Sequence, residues 1–457
     1  MKNRLRFVMN KTLTTFVKIS SGGSLMGRSF RKGWIPVLFL IVLSLIVPHL
    51  SFAKRERAAK KTEETQTAKK AKPAQTPQPQ TQQVTQSALQ CDAQSALLMD
   101  GVTGEVLYEQ NSRLRIPPAS FVKVMTLYVV FDAIRAGQLK MDDMVTVSEK
   151  AWKTQGSKMF IKVGDKVKVE DLLKGVAVAS GNDACIALAE HVAGSEEVFV
   201  SKMNEKAKLL GMNDSQFRNS DGMPAEGQYV SALDMAILSQ RYIQDHPEAL
   251  AIHSMVEFEY NGIKQGNRNT LLTKNIGVDG LKTGHIEESG YHLLATAKRE
   301  GQRMIAVVMG CDKVKKRAPE AQKLLEYGFK NFSIVEAVKK DAVFGPVKVK
   351  RGKLDQLTLI ASEDARVTVG KGKEKSVSAI PDLPPLIVAP IKKGQVLAKI
   401  VVQNDGKTLK EVRLLASSDI EKSLIPPWPV LVAILIGLSL IGAVGFLWIR
   451  RTRTKKY

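Results

Sequence analysis

The predicted central helix of the protein begins with the sequence Pro117-Pro118-Ala119-Ser120-Phe121-Val122-Lys123. Residues 121–134 are apolar at almost every position, and a helix that is apolar all round is a buried one. The two prolines favour an extended approach and Gly137 offers a stop, so the pattern predicts a helix from near Ser120 to near Ala136. We therefore expect this helix to lie in the centre of a domain.

Two polar side chains, Ser120 and Lys123, lie three residues apart on the first turn of this helix. A lysine is costly to bury without a partner, and a desolvated lysine loses its proton more easily. Because a neutral amine beside a hydroxyl is a general base beside a nucleophile, the pair predicts nucleophilic catalysis. The Ser-x-x-Lys pattern is weak by itself, since it also occurs twice before residue 55.

A second polar pattern, Ser180-Gly181-Asn182, is predicted to form a tight turn between two buried helical stretches. Such turns usually serve only to cap a helix, and this remains the alternative to a functional role. If Ser180 and Asn182 face the Ser120/Lys123 pair, they are suited to relaying a proton and holding a substrate amide.

The third pattern, Lys282-Thr283-Gly284-His285, is predicted to lie on a strand. Gly280 and Gly284 bracket the Lys-Thr pair, and glycine in a strand marks the close approach of another backbone or a ligand. An exposed edge strand with a solvated lysine is the alternative. Together with the other two patterns, Lys282 supplies a fixed positive charge for a substrate carboxylate and Thr283 a donor beside it.

The formal net charge of +23 is concentrated at the ends of the chain. Residues 1–32 carry +8, residues 54–72 carry +5 and residues 450–456 carry +5, which leaves about +5 for residues 73–449. Basic flanks are typical of membrane topology rather than of phosphate binding, so a nucleic-acid partner is not predicted.

The N-terminal segment is typical of a secretory signal. Basic residues precede the apolar run 34–50, which ends Ser51-Phe52-Ala53, so residues 1–53 are predicted to be a signal peptide cut after Ala53. An uncleaved anchor is the alternative, because the run is long and a basic residue follows it directly. In both cases the rest of the chain is exported. Residues 54–90 have almost no large apolar side chains and are predicted to be a disordered linker.

Folded structure is predicted from near Ser95, with strand patterns at residues 95–100, 104–108, 291–297 and 304–310. The three cysteines, Cys91, Cys185 and Cys311, fit no zinc pattern and allow at most one disulfide. Cys185 lies in an apolar helical run and is predicted to be a buried thiol.

The last third of the chain contains short β-rich runs separated by turns, at residues 347–349, 357–360, 365–369, 396–402 and 412–415. Runs of this spacing predict a small sandwich or barrel, with no polar cluster that would indicate a second active site. Residues 430–449 then form 20 positions without a charge, followed by a basic tail. This predicts a membrane span over 428–449 and a cytoplasmic tail over 450–457, with a buried core helix as the alternative.

Ser-x-x-Lys, Ser-x-Asn and Lys-Thr-Gly, in that order, resemble the motif set of penicillin-binding proteins and class A β-lactamases. The wider phrases Ser180-Gly181-Asn182-Asp183-Ala184 and Asp279-Gly280-Leu281-Lys282-Thr283-Gly284 look like the serine D-alanyl-D-alanine carboxypeptidases. The resemblance implies an α+β fold: a β-lactamase/transpeptidase-like catalytic domain (residues 91–335), in which helices flank an antiparallel sheet beside a helical subdomain. A small all-β domain (residues 336–424) and the C-terminal transmembrane helix would follow.

The resemblance also implies roles for the site residues. Ser120 would form an acyl-enzyme with a cell-wall stem peptide, Lys123 would take its proton, and Ser180 would relay a proton to the leaving amine. The remaining residues would bind the substrate: Asn182 would contact its amide, Lys282 and Thr283 would hold its terminal carboxylate, and Gly284 and His285 would be further substrate-binding residues. The oxyanion hole would be the backbone N–H groups of Ser120 and His285.

The implied partners are peptidoglycan stem peptides, β-lactam antibiotics as covalent inhibitors, and the membrane; no metal or organic cofactor is implied. A class A β-lactamase would add a Glu-x-x-x-Asn loop, and Glu257 to Asn261 match those letters. Because they lie in an aromatic stretch where a strand is expected, we treat the match as coincidence. An endopeptidase or β-lactamase on the same scaffold, and a non-catalytic peptidoglycan-binding protein, remain as alternatives.

Overall fold

The computed structural model describes residues 89–424 and 428–453. The predicted signal peptide lies outside the described residues, as do residues 54–88 of the predicted linker and residues 454–457 of the tail. The described chain begins at Leu89, so the last two residues of the predicted linker are described, and Leu89 packs on the core of the first domain.

The strands of the first domain are β1 (Ser95–Asp100), β2 (Val106–Gln110), β3 (Met144–Thr146), β4 (Lys166–Lys168), β5 (Glu257–Tyr260), β6 (Ile263–Gly266), β7 (Val278–Ile286), β8 (Gly290–Arg299) and β9 (Gln302–Cys311). Five of them form an antiparallel sheet in the order β2-β1-β9-β8-β7, and β3–β4 and β5–β6 are separate pairs. The inner strands are buried along most of their length because helices cover both faces of the sheet. Strand β7, which carries the Lys-Thr-Gly pattern, lies at the edge.

The helices of this domain are α1 (Val122–Arg135), α2 (Glu149–Lys153), α3 (Val169–Lys174), α4 (Asn182–Ala193), α5 (Glu196–Leu210), α6 (Ala232–Asp245), α7 (Leu250–His253) and α8 (Val314–Asn331). Helix α8 packs on one face of the sheet and α6 on the other. In α1, 11 of 14 residues are buried, so the prediction of a central helix is confirmed. A 3₁₀ turn, Ala119–Phe121, leads into it and carries Ser120.

The second domain consists of β10 (Phe332–Val338), β11 (Val343–Lys350), β12 (Gln356–Ala361), β13 (Ala365–Gly370), β14 (Val377–Asp382), β15 (Ile387–Val388), β16 (Val396–Asn404) and β17 (Lys407–Ala416). Six strands form a sheet in the order β14-β16-β17-β12-β11-β15, and β10 pairs with β13. All five predicted strands lie inside this set, whereas β10, β14 and β15 were not predicted. The predicted domain boundary at 335/336 falls inside β10, so the second domain begins at Phe332, four residues earlier.

The last described element is α9 (Trp428–Arg453). Residues 428–452 have a mean hydropathy of 2.8 in their most apolar window, and none of that window is buried against the protein. A helix of this length is long enough to cross a bilayer, and its exposure rules out the alternative of a buried core helix.

Candidate active site

The tertiary structure brings the Ser120/Lys123 and Ser180/Asn182 patterns into direct contact. Lys123 Nζ lies 3.2 Å from Ser120 Oγ and 2.7 Å from Asn182 Oδ1. Ser180 Oγ lies 3.1 Å from Ser120 Oγ. Lys123, Ser180 and Asn182 are each at most 4% exposed, while the half-buried Ser120 is open to the surface. The site is therefore a buried hydrogen-bonded group with one accessible hydroxyl.

The side-chain nitrogen of Lys123 is also held by a loop that the sequence patterns missed. Lys123 also donates to the backbone carbonyl of Asp221, on the loop before Gly222. Thr126, one turn along α1, donates to the neighbouring carbonyl of Ser220 at 2.5 Å. A loop nearly 100 residues downstream thus holds the lysine in place, and no local pattern marks it.

The turn at Ser180 aims its hydroxyl at Ser120. Residues Gly175–Ala179 form a π-helical turn, and Ser180 follows with a φ of 60° before α4 begins at Asn182. A non-glycine residue in the left-handed region is uncommon and is held by its surroundings. Here the Asn182 N–H donates to Ser157 O at 2.7 Å and Asn182 Nδ2 to Gln155 O at 2.6 Å. The predicted tight turn is present, and it does more than cap the helix.

Strand β7 packs against the turn that carries Ser120. A Cβ placed on Gly284 would lie 3.3 Å from both Pro118 O and Ala119 Cβ, so glycine allows the two backbones to approach closely. This places the segment carrying the His285 amide beside the one carrying the Ser120 amide. The His285 side chain is exposed and stacks on Tyr291 with ring centroids 4.0 Å apart.

Lys282 is buried at 3% exposure, and Thr283 at 6%. The pKa of Lys282 is well below its ordinary value, chiefly because of burial and further because of repulsion from Lys123 and Arg268. The alternative of a solvated lysine on an exposed edge is therefore wrong, although β7 is an edge strand.

Two arginines that the sequence patterns missed surround Lys282. Arg317 on α8 donates to Gly284 O at 3.3 Å, and Arg268 donates to Ser157 Oγ at 3.0 Å. Burial lowers the pKa of both guanidinium groups. Within the described residues, no carboxylate raises the pKa of either one. Lys282 and Arg317 are buried and Arg268 is exposed beside them, and within the described residues none of the three pairs with a carboxylate, so they form a site suited to a ligand carboxylate.

Two buried histidines support the strands around the site. His253 donates through Nδ1 to Leu281 O at 3.0 Å and accepts at Nε2 from the Tyr242 hydroxyl at 3.2 Å. His292 links β9 to the approach of α1: it accepts from Gly310 N at 2.9 Å, and Ser289 bridges it to Pro117 O with two contacts of 3.0 Å. Burial lowers the pKa of each histidine to about 4, so both stay neutral at pH 7.

Glu257 lies on the β5–β6 hairpin, as the strand prediction required. Its carboxylate is exposed and pairs with Lys264 at 2.7 Å, so it supplies no buried acid to the site. The three cysteines are free and buried, and burial raises the pKa of Cys185 to about 12. The prediction of a buried Cys185 is confirmed.

Substituting Gly222 with alanine is expected to disturb the turn that carries Ser120. The added Cβ would lie 2.0 Å from Ala119 O, at a residue whose φ is +85°. We expect a loss of about 3 kcal/mol in the free energy of unfolding and a slower acylation of Ser120. Gly211→Ala is the matched control, because φ is +76° there but the described structure has no atom within 4 Å of the new Cβ. Urea titration and acylation rates compare the two; equal effects would contradict the close approach.

The site fits the class of serine peptidases, with a lysine amine in contact with a serine hydroxyl one helical turn away. The family follows from comparison with known sequences. A model of the D-alanyl-D-alanine carboxypeptidase family matches residues 81–313, and a model described as penicillin-binding protein 5, C-terminal domain, matches residues 332–422. The chain belongs to the D-alanyl-D-alanine carboxypeptidase family.

Individual relatives agree over most of the chain. The D-alanyl-D-alanine carboxypeptidase DacC of Escherichia coli (strain K12) is 44% identical over 72% of this chain and 85% of its own length. DacF of Bacillus subtilis (strain 168) is 39% identical over 74% of this chain and 88% of its own length. The solved structure of penicillin binding protein 5 from Haemophilus influenzae is 40% identical, with a TM-score of 0.70 over 73% of this chain and 99% of that one. These likenesses confirm the predicted two-domain α+β fold.

Proposed function

We propose that the protein is a serine carboxypeptidase that removes the terminal D-alanine from peptidoglycan stem pentapeptides through an acyl-enzyme on Ser120. One observation carries the proposal: Lys123 Nζ lies 3.2 Å from Ser120 Oγ at the bottom of a buried, fully hydrogen-bonded group. The family of the chain and the identity of its relatives support the same activity.

The hydrogen bonds of Lys123 account for its role as the base. A neutral amine has two N–H groups and one lone pair. The carbonyl of Asp221 and Oδ1 of Asn182 accept the two N–H groups, so the lone pair faces Ser120 Oγ. The serine proton passes to Nζ as Oγ attacks the carbonyl of the penultimate D-alanine. The backbone N–H groups of Ser120 and His285 stabilise the oxyanion.

The second proton transfer releases the product. Ser180 Oγ lies 3.1 Å from Ser120 Oγ. It passes its proton to the nitrogen of the terminal D-alanine as the C–N bond breaks and takes up the proton that Lys123 holds, which leaves an ester on Ser120 and Lys123 neutral again. Water then attacks the ester, Lys123 accepts its proton, and Ser120 regains a proton as the shortened peptide leaves.

The cations beside β7 bind the carboxylate that a carboxypeptidase must recognise. Lys282 and Thr283, with Arg268 and Arg317 on either side, receive the terminal carboxylate. Asn182 uses one of its two amide N–H groups on Gln155 O and keeps the other for the peptide carbonyl of the substrate. The cation cluster favours removal of a C-terminal residue over cleavage within a cross-link.

Product analysis tests the proposed function against its alternatives. Purified protein incubated with a stem pentapeptide is expected to release free D-alanine and a tetrapeptide, detected by mass spectrometry. Release of monomers from cross-linked dimers as the main reaction would indicate an endopeptidase. Rapid turnover of a chromogenic cephalosporin would indicate a β-lactamase, whereas we expect slow deacylation of bound penicillins.

The lowered pKa of Lys282 predicts that substrate binding weakens at alkaline pH. The charged lysine is present below its folded pKa and is lost as the pH rises through that value, which lies below the ordinary lysine value of 10.5. The KM for a peptide with a free terminal carboxylate should therefore rise with pH within the range below the ordinary lysine value. Lys282→Arg, which cannot lose its charge in this range, should make KM independent of pH. Lys298→Arg, an exposed residue on β8, is the matched control, and a flat wild-type profile would contradict the prediction.

We also propose that the protein is exported and anchored in the bacterial cytoplasmic membrane, with both domains on the outer side. The apolar, exposed helix α9 supports the anchor, and the basic residues at its end favour a cytoplasmic tail. The same proposal includes the limits predicted from the sequence: a signal peptide at 1–53, a linker at 54–90 and a cytoplasmic tail at 450–457. It also includes β-lactams as covalent inhibitors of the enzyme.

A further inference from the structure

The chain leaves the second domain at a point that must lie close to the membrane. Leu424 is the last described residue of the domain, and α9 begins at Trp428. Four residue steps of extended chain span at most about 14 Å. The end of the β domain that holds Leu424 therefore lies within that distance of the first residue of the predicted span.

Three segments meet at this end of the domain, and we call them together the exit rim: residues 350–355, 389–395 and 419–424. Backbone hydrogen bonds join them: Ala389 N to Lys350 O at 3.0 Å, Ile391 N to Ile420 O at 2.9 Å, Lys353 N to Glu421 O at 2.9 Å and Ser423 N to Arg351 O at 2.8 Å. The second segment contains the sequence Ala389-Pro390-Ile391-Lys392-Lys393, which has no role in the proposed catalytic reaction. The exit rim is thus one connected surface around the chain exit.

The exit rim contains six basic and three acidic residues. Lys353 pairs with Glu421 at 2.5 Å. Five other basic side chains are exposed and have no carboxylate within 4.0 Å among the described residues: Lys350, Arg351, Lys392, Lys393 and Lys422. Unpaired, solvated cations at the membrane-proximal end of a domain favour an anionic surface as their partner.

Two apolar side chains stand among these cations. Leu354 is 56% exposed at the tip of the first segment, and Leu424 is 92% exposed at the end of the third. Leucine between lysine or arginine residues is typical of protein surfaces that lie in the headgroup region of a bilayer, where the apolar group enters and the cations stay among the phosphates.

The two domains also differ in net charge, and the second domain is the more positive of the two. Residues 332–424 contain 17 Lys and Arg against 11 Asp and Glu, a net charge of +6. Residues 89–331 contain 30 against 31, a net charge of −1. The excess positive charge of the folded part of the chain therefore lies in the domain that adjoins the membrane helix.

We propose that the exit rim docks on anionic phospholipid headgroups of the membrane that α9 spans. This proposal rests on the proposed membrane anchor. Each basic residue near an anionic surface strengthens binding by roughly fivefold. The anchor alone would tether the protein, whereas docking would also fix the orientation of the β domain, and the catalytic domain contacts that domain directly through Thr103 and Thr368 (Oγ1 atoms 2.7 Å apart).

The experiment uses the full chain reconstituted in vesicles. Leu354→Cys is labelled with an environment-sensitive fluorophore, because the three native cysteines are buried. Quenching by a nitroxide lipid at headgroup depth then reports contact of the exit rim with the bilayer. Vesicles of phosphatidylcholine alone are compared with vesicles that contain phosphatidylglycerol, at low and high salt.

We expect quenching in anionic vesicles that falls at high salt, and a docked-to-free ratio at least about tenfold lower when Arg351, Lys392, Lys393 and Lys422 are all replaced by glutamine. The matched control replaces Lys371, Lys373, Lys375 and Lys407 by glutamine, four exposed residues at the far end of β16, and should quench like the wild type. Release of D-alanine from a soluble peptide should be unchanged in both variants.

Equal quenching in neutral and anionic vesicles, or an equal loss in both quadruple variants, would overturn the docking proposal. Protein with a wild-type exit rim that binds isolated peptidoglycan sacculi but shows no quenching in anionic vesicles would also overturn the docking proposal. Alkaline carbonate extraction separates this failure from that of the anchor: protein released by carbonate contradicts the anchor, whereas retained but unquenched protein contradicts the docking alone.

Discussion

Replacing Ser120 with alanine is expected to abolish covalent labelling by a fluorescent penicillin and to lower D-alanine release on the order of 10⁴-fold or more. Ser120 Oγ is the accessible hydroxyl of the site, and its removal leaves Lys123 and Ser180 without the atom that forms the ester. The fold should persist, since only two hydrogen bonds are lost, at about 1 kcal/mol each. Gel fluorescence and intact mass measure the adduct, and thermal unfolding measures the fold.

Ser201→Ala is the matched control, because Ser201 is an exposed serine on α5 that bonds only to Glu197 O. It should be labelled as rapidly as the wild type. An adduct on Ser120→Ala would place the nucleophile elsewhere. No adduct on the wild type either would remove the acyl-enzyme and leave a peptidoglycan-binding module as the better account of the chain.

Replacing Lys123 with methionine is expected to slow acylation by about 10²- to 10⁴-fold, the usual contribution of a general base. Methionine keeps most of the volume of the wholly buried side chain but has no lone-pair nitrogen. It also leaves Asn182 Oδ1 and Asp221 O without their donor, at a cost of about 1–3 kcal/mol each. Stopped-flow acylation and urea unfolding measure the two effects separately.

The pH dependence distinguishes a base from a structural residue. In Lys123→Met, hydroxide must remove the serine proton, so the residual acylation rate should rise steeply with pH, more steeply than in the wild type. Lys202→Met, an exposed residue on α5, should match the wild type in both rate and profile. A Lys123→Met variant that acylates within a factor of two of the wild type would contradict the proposed base.

Short patterns located the groups of the site that are close in sequence. Ser120 and Lys123 share one helical turn, Ser180 and Asn182 share one turn of chain, and Lys282 and Thr283 are adjacent, so each pair was readable without knowledge of the fold. Arg268, Arg317 and the Asp221–Gly222 loop were missed, because no residue nearby in sequence indicates what they contact.

The limits of the fold prediction have a similar cause. Strands with strong alternation or long apolar runs were predicted, whereas β14 was missed because most of its residues are exposed and it contains Pro381. Strand β10 was not predicted and the predicted domain boundary falls inside it, because its partner β13 lies about 30 residues further along the chain.

The amino-acid sequence by itself determined the central helix, the order of the three motifs, the β-rich second domain and the apolar C-terminal helix. These features depend on neighbours a few residues apart, through helical or strand periodicity and turn residues. Only the tertiary structure decided that Lys123 is held by a loop 98 residues away, that Lys282 is buried among cations, and that Gly284 lies against the nucleophile turn. The protonation and aim of a buried group depend on the charges and donors around it in space, and the packing of distant segments sets those surroundings.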